Sequence, residues 1–482
     1  MAVLEGLEPK KVYKYFEEIC GIPHGSYNTK QISDYLVEFA KNKNIRYIQD
    51  EANNVIMFKD GTRGYENSDT VMIQGHMDMV CEKDKGCDID FEKEGLRLRC
   101  DGKAITADGT TLGGDDGIAV AYALAILDSD DIEHPPLEVV ITVDEEVGML
   151  GAAALDATVL KSKMMLNIDS EEEGVLLVSC AGGMTSECKI PAVYTEDMQD
   201  MTGYEITVTG LQGGHSGVEI DKNRANSNKV MGRILYMLSQ EDNICLSSVN
   251  GGLKDNAIPR ETKAVVAFKE SSVTNIENKI KELNSTLKNE YLFSDGDITL
   301  NIVKTQVDKV MTREVSNNII TALYCYPNGI MRMSSDIDGL VQSSLNLGVL
   351  STTDNEVLFR FSVRSSVESE KRDIGYQLKC LTESLGGNYS ENGSYPAWEY
   401  KQDSRLRDVM KQTYKDMFDD MPEIQAIHAG LECGLFAGKL PGLDCISYGP
   451  RIDDIHTPAE TLYVDSVERM WKYTLEVLKK LK

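Results

Sequence analysis

An α/β fold interrupted by a large α+β insertion is predicted by three features of this 482-residue chain. Length is the first: one hydrophobic core rarely grows to serve so many residues, so two domains, or one domain carrying an insertion, are expected. The second is a repeated event. Three apolar runs, at residues 70–74, 137–143 and 164–168, read as buried strands, and each stops beside a residue able to bind a cation. Open α/β sheets build their sites beyond the carboxyl ends of strands, so the repetition weighs more than any single motif. The third is a change of rhythm between about residues 182 and 396, where half-exposed alternating strands lead into amphipathic helices.

Composition narrows the function classes. Hydrophobic residues make up 41% and charged residues 27% of the chain, as in ordinary soluble globular proteins. The formal net charge of −28, from 78 acids against 50 bases, would be repelled by nucleic acid and by anionic membranes, so neither is an expected partner. Eleven cysteines, odd in number and without a C-x-x-C pair, make neither a disulfide framework nor a thiolate zinc site; they read as core thiols in a reducing compartment. The N-terminus lacks a basic region followed by an apolar stretch, and the longest nearly apolar run, 117–127, is too short to span a bilayer. A cytoplasmic protein is expected.

Taken in order, residues from Pro9 carry Val12, Phe16 and Ile19 at helical spacing, and a second helix carries Ile32, Leu36 and Phe39. His24, in the break between them, reads as a local hydrogen-bonding group. The strand at 70–74 delivers His76 and Asp78, which lie on one side if the chain stays extended, a spacing that suits a metal-bound imidazole backed by a carboxylate. Gly113-Gly114-Asp115-Asp116-Gly117 follows at a strand-to-helix turn, where the glycines allow close backbone approach and the first acid serves equally well as an N-cap. The run 137–143 stops at Asp144-Glu145-Glu146. Adjacent residues at the end of an extended segment point in opposite directions, so one glutamate can ligate a metal while the other accepts a proton from water. A solvated acidic loop is the plain alternative for that pair alone. The run 164–168 ends at Asp169.

In the middle of the chain, an alternating strand at 204–209 leads to Gly213-Gly214-His215-Ser216-Gly217. Twice a strand ending near Ser-Ser, at Ser271-Ser272 and Ser365-Ser366, feeds an amphipathic helix, which hints at two related α+β units. In the second, Phe359, Phe361 and Val363 alternate with Arg360, Ser362 and Arg364, so one face presents two guanidinium groups that could hold a carboxylate. From Trp398 the chain returns to helix, then reaches Gly430 and Glu432, a strand at 444–447, His456-Thr457-Pro458 and a last helix with Val467, Met470, Trp471, Leu475 and Leu478.

As a set, His76-x-Asp78, Gly114-Asp115-Asp116, Asp144-Glu145-Glu146-x-Gly148, Asp169, Gly213-Gly214-His215-Ser216, Asn256-Ala257-Ile258-Pro259 and His456-Thr457-Pro458 resemble the dinuclear zinc metallopeptidases that include carnosinase, peptidase T and the aminoacylases. They occur in that family's order and span nearly the whole chain; the pattern is most similar to the bacterial aminoacyl-histidine dipeptidase branch. The resemblance implies a catalytic domain with a mixed central sheet flanked by helices, built from residues 1–184 and 398–482, and an inserted α+β lid from 185–397. It implies that Asp115 bridges two metal ions, with His76 and Asp169 completing one site and Glu146 and His456 the other. Glu145 is then the general base and Asp78 the partner of His76, while His215, Asn256, Arg364 and Gly430 bind substrate. The ligand types suit zinc, and also manganese or cobalt.

The reading that follows is a metal-dependent dipeptidase acting on small unblocked peptides, with histidine in the second position as the preference the resemblance implies. An N-acyl amino acid hydrolase on the same scaffold is the nearest rival, and a non-catalytic metal- or peptide-binding protein the rival from another class. Monomer and lid-mediated homodimer are both compatible with the long lid.

Overall fold

The computed structural model describes residues 3–198 and 200–482. Two compact units divide the chain: one runs to Cys180 and resumes at Tyr400–Ala426 and Leu431–Lys482, and the other comprises Ala181–Glu399 and Ile427–Gly430.

An eight-stranded mixed sheet forms the first unit. Its centre is four parallel strands in the order Leu137–Thr142, Val71–His76, Met164–Asn167 and Asp444–Ser447. These short apolar segments are buried at every position, as expected of parallel strands covered on both faces. Val55–Lys59 and Arg46–Gln49 extend the sheet antiparallel on one side, and Val175–Cys180 and Glu423–Ile427 lie at the other. Helix Gly114–Leu127 is buried along its whole length, which explains why its sequence is apolar all round rather than striped. The terminal helix Val464–Lys480 packs Trp471 edge-on against Tyr122 of that central helix, with ring centroids 5.3 Å apart.

Two boundaries differ from those the sequence predicts. The strand predicted at 70–74 runs on to His76, so His76 is its last residue and Asp78 lies in the loop beyond. The strand Leu137–Thr142 stops earlier, so Glu145 and Glu146 sit in a turn. In that turn Asp144 has φ 54°, and the Glu145 carbonyl accepts from the Gly148 and Met149 amides. The opposed directions expected of the two glutamates from strand alternation therefore have to come from turn geometry.

The second unit is built on a nine-stranded antiparallel sheet in which eight strands run in the order Thr299–Lys304, Met201–Thr209, Thr262–Lys269, Cys245–Gly251, Val341–Thr352, Glu356–Ser365, Gly182–Pro191 and Asn388–Tyr395, and Gly329–Met333 pairs with Val341–Thr352 off that path. This is two copies of one plan. In the first, Met201–Thr209, helix Ser227–Ser239, Cys245–Gly251, Thr262–Lys269, helix Val273–Glu290 and Thr299–Lys304 follow as β-α-β-β-α-β. The second repeats that order with Gly182–Pro191, helix Arg313–Cys325, Val341–Thr352, Glu356–Ser365, helix Glu368–Ser384 and Asn388–Tyr395, and the first copy is inserted after its opening strand. The halves join through their second strands, at Gly251 opposite Leu350. The strand-then-helix repeat legible in the sequence is the third strand and second helix of each half.

Among the described residues no helix is long and apolar enough to cross a membrane, and no disulfide is present. Cys20, Cys180, Cys188, Cys245, Cys433 and Cys445 are buried; Cys81, Cys325 and Cys380 are exposed, so the expectation of core thiols holds for only part of the set.

Candidate active site

Three neighbouring strands of the first unit end within reach of one another, and the turn that opens the buried helix meets them there. A cis peptide joins Asp115 to Asp116, and neither residue is helical although both fall within Gly114–Leu127. Glu460 fixes this turn: its buried carboxylate accepts from the amides of Leu112 (2.7 Å), Gly113 (3.2 Å), Gly114 (2.8 Å) and Asp115 (3.4 Å). Gly75 lets the turn approach the sheet, since a Cβ there would stand 2.4 Å from Asp116 Oδ2. Asp116 in turn accepts from the His76 backbone amide at 3.2 Å.

Asp115 stands between two histidines, one for each carboxylate oxygen. His76 Nε2 lies 3.1 Å from Oδ1, and His456 Nε2 lies 3.1 Å from Oδ2. Asp169 completes the His76 side at 3.4 Å, and Glu146 completes the His456 side at 3.1 Å. Asp115, Glu146 and His456 form one group able to hold a metal ion; His76 and Asp169 recur in a second with Asp116, and His76 also groups with Glu145 and Glu146.

Donor chemistry at this place fits a divalent cation. His76 Nδ1 lies 2.9 Å from the Asp78 carbonyl, to which it donates, so its Nε2 lone pair faces the carboxylates of Asp115 and Asp169. A lone pair among carboxylates requires a cation, whether a proton or a metal ion. On the chain's own groups a proton takes that place. Burial opposes charge on His76, yet Asp169 and Asp115 raise its pKa well above the usual imidazole range. Hydrogen bonds to Asp115 and Glu146 lift His456 to about 10. Burial also favours the protonated forms of Glu145, well above its ordinary value, and of Asp169, at about 6. Asp115 stays well below the ordinary range, because its bonds with His456 and His76 outweigh its burial.

Asp78 meets His76 through both its groups: the carboxylate Oδ1 lies 3.6 Å from Nδ1, within ion-pair distance, while the backbone carbonyl accepts the shorter hydrogen bond at 2.9 Å. The side chain also accepts from the Glu145 amide at 3.0 Å and from Ser26 Oγ at 2.8 Å. Asp78 thus holds the backbone of Glu145. Glu432, first residue of helix Glu432–Lys439, is wholly buried and accepts from Thr142 Oγ1 at 2.7 Å and from Gln74 Nε2. Burial pushes its carboxyl up to about 8. Sequence singled out neither the clamp of Glu460 nor this contact, because both join residues hundreds of positions apart. His24 makes the local contact expected of it, 2.5 Å from the Ile22 carbonyl.

Within the second unit, the two motif segments of the predicted lid meet: Gly214–His215 pairs with Ala257–Ile258, and the Ser216 amide donates to the Asn256 carbonyl at 2.9 Å. His215 Nδ1 accepts from the Gly217 and Val218 amides at 3.3 and 3.2 Å, which places its proton on Nε2. A Cβ on Gly217 would touch the His428 carbonyl (2.7 Å), His215 Cε1 (2.9 Å) and Arg364 Nε (3.2 Å), so the three residues converge on that glycine. Arg364 is buried with Nε lacking a partner, and its terminal nitrogen reaches Tyr395 Oη at 3.3 Å. Arg360 is paired with Glu187 at 2.7 Å, a carboxylate that Lys189 also reaches at 3.2 Å. His428 bonds Ser344 Oγ at 2.7 Å, and burial, Arg364 and His215 lower its pKa to about 3. Asn256 is exposed, and Gly430 is half-buried in the loop after Ile427.

Comparison with known proteins completes the picture. Residues 72–480 match the peptidase family M20/M25/M40. The chain is 36% identical over 482 residues to the cytosol non-specific dipeptidase of Escherichia coli K12, covering 100% of this chain and 99% of that one. The crystal structure of aminoacylhistidine dipeptidase from Vibrio alginolyticus superposes with a TM-score of 0.93 at 35% identity, over 99% of this chain and 98% of that one. Aminopeptidase PepT from Bacillus cereus shares the fold, with a TM-score of 0.57 at 14% identity over 98% and 99% of the two chains.

Proposed function

The chain belongs to the peptidase family M20/M25/M40 and is a peptide hydrolase, and from that premise we propose that it cleaves unblocked dipeptides with two divalent cations bound around Asp115. His76 and Asp169 hold one cation, and Glu146 and His456 the other. The observation that carries this reading is the Asp115 carboxylate, with one oxygen 3.1 Å from each imidazole nitrogen. Bound there, the cations supply Lewis acidity toward the peptide carbonyl and the attacking water. Zinc is the proposed ion, on a mixed histidine and carboxylate set that also accepts manganese or cobalt.

Glu145 accepts a proton from the attacking water and returns it to the leaving amine. Asp78 keeps that base in place through the Glu145 amide. His215, through its Nε2 proton, and Arg364 stabilise the developing oxyanion and hold the substrate's carboxylate, with Asn256 and Gly430 also assigned to substrate binding. Histidine in the second position is the proposed preference, in line with the name of the Vibrio relative. Residence in the cytoplasm follows the name of the Escherichia coli relative.

Hydrolysis of Gly-His, β-Ala-His, a tripeptide and an N-acetyl amino acid by metal-reconstituted protein tests the proposal. Release of free amino acid from the dipeptides alone is expected, and a Glu145→Gln variant should keep its metal while losing roughly 10²- to 10⁴-fold in kcat. Cleavage of the acetylated substrate alone would move the chain to the acylase branch. Turnover by Glu145→Gln near the wild-type rate would remove Glu145 as the base.

A further inference from the structure

Beneath the metal-binding set, a row of polar side chains crosses the buried interior of the sheet. Thr142, Gln74, Asn167 and Ser447 are each fully buried, one near the carboxyl end of each central parallel strand. Asn167 stands level with Gln74 on one side and with Ser447 on the other, and Thr142 stands level with His76. Three of these strands go on to supply the site: Gln74 precedes His76, Thr142 precedes Glu145 and Glu146, and Asn167 precedes Asp169, each by a few residues.

We propose that Glu432 is a positioning residue for this site: it ties the ends of those three strands together so that His76, Glu146 and Asp169 converge on the cations. One carboxylate oxygen does the joining. Glu432 Oε2 accepts from Thr142 Oγ1 at 2.7 Å and from Gln74 Nε2, while Gln74 Oε1 accepts from Asn167 Nδ2 at 2.6 Å. A single side chain from another element thereby fixes the glutamate strand directly, the His76 strand directly and the Asp169 strand through Gln74. Such a connected buried network resists the small relative shifts of strand ends that would spoil ligand convergence. Glu432 Oε1 has no hydrogen-bond donor, so an amide oxygen in the Oε2 position reproduces every bond the carboxylate makes.

The inference rests on the metal-binding reading of the site and not on the identity of the peptide cleaved, so it is tested by metal binding. Zn²⁺ is titrated calorimetrically into metal-free wild type, Glu432→Gln and Glu432→Leu, and the visible absorption of the Co²⁺-loaded proteins is compared. Glu432→Gln is expected to bind within about threefold of wild type. Glu432→Leu, similar in size but unable to accept, should bind roughly 10- to 100-fold more weakly with an altered Co²⁺ spectrum. Unchanged affinity and spectrum in a folded Glu432→Leu protein would overturn the proposal, as would a Glu432→Gln protein as impaired as the leucine variant. If Glu432→Leu fails to fold, Thr142→Val removes one donor and should weaken Zn²⁺ binding; unchanged binding there overturns the proposal equally. Wild type that binds no divalent cation would sink the metal reading itself, and the positioning role with it.

Discussion

Arg360 and Arg364 share a strand and a residue type, yet their surroundings separate them. Arg360 spends its charge on Glu187, whereas Arg364 is buried beside His215 with a nitrogen unpartnered. Strand alternation offers both as carboxylate holders and only the family resemblance singles out Arg364, because the physical distinction depends on a glutamate far away in the chain. Arg364→Ala is expected to raise KM for dipeptides roughly 10- to 100-fold, the weight of a charge-assisted hydrogen bond, while Arg360→Ala leaves KM within about twofold. Equal effects would remove the distinction. The histidines carry a second residue-scale prediction. His456 is raised to about 10 by Asp115 and Glu146. A raised histidine pKa contributes stability that is full below its unfolded value near 6.5 and is lost as pH climbs through about 10. At pH 8 the metal-free chain therefore keeps this proton, and a metal ion must displace it. Calorimetric titrations of Zn²⁺ at pH 8 in buffers of different ionisation enthalpy should report release of at least one proton per chain, and affinity should rise with pH toward 10. Heats that do not depend on the buffer would contradict the assignment of His456 as a ligand.

Strands that end beside candidate ligands are readable because apolar β-formers and a following acid or histidine are local signals, carried by Val71–His76, Leu137–Thr142 and Met164–Asn167. The turn after the second of them was not readable. It is held by the Val143 amide on Asn54 Oδ1 and the Tyr27 amide on Asp144 Oδ1, partners about a hundred residues away that leave no local pattern. The same holds for Glu460, whose grip on residues 112–115 looks in the sequence like one more acid in an acidic chain. Contact between the sheet and the Asp115 turn gives the element-scale prediction. An alanine at Gly75 would place its Cβ 2.4 Å from Asp116 Oδ2 and 2.6 Å from Ala119 Cβ. Overpacking of this kind costs about 1–3 kcal/mol, and here it also pushes Asp116, the neighbour of Asp115, off the His76 strand. Gly75→Ala should thus lower the urea midpoint and, in the folded fraction, reduce bound metal per chain. Wild-type stability together with full metal content would show that the approach is looser than described.

Two half-lids joined strand to strand give the second unit a property that neither half has. His215 comes from the segment between the first strand and first helix of the inserted half, while Arg364 lies on the third strand of the other. Their meeting around Gly217 therefore requires both halves, and the pairing of Cys245–Gly251 with Val341–Thr352 supplies them from one chain. The sequence offered the repeat but not this consequence, since a strand-then-helix pattern does not say which edges pair. A group completed within one chain cannot be restored by sharing between chains, whatever the oligomeric state. Co-expressed His215→Ala and Arg364→Ala chains, each impaired alone, should consequently stay as impaired when mixed as when separate. If the group were instead shared across a dimer interface, half of randomly assorted dimers would be mixed and each would hold one intact group, returning roughly a quarter of wild-type activity. Dipeptide hydrolysis by the purified mixture separates the two outcomes, because a quarter of normal turnover stands far above the residual rate expected of either variant.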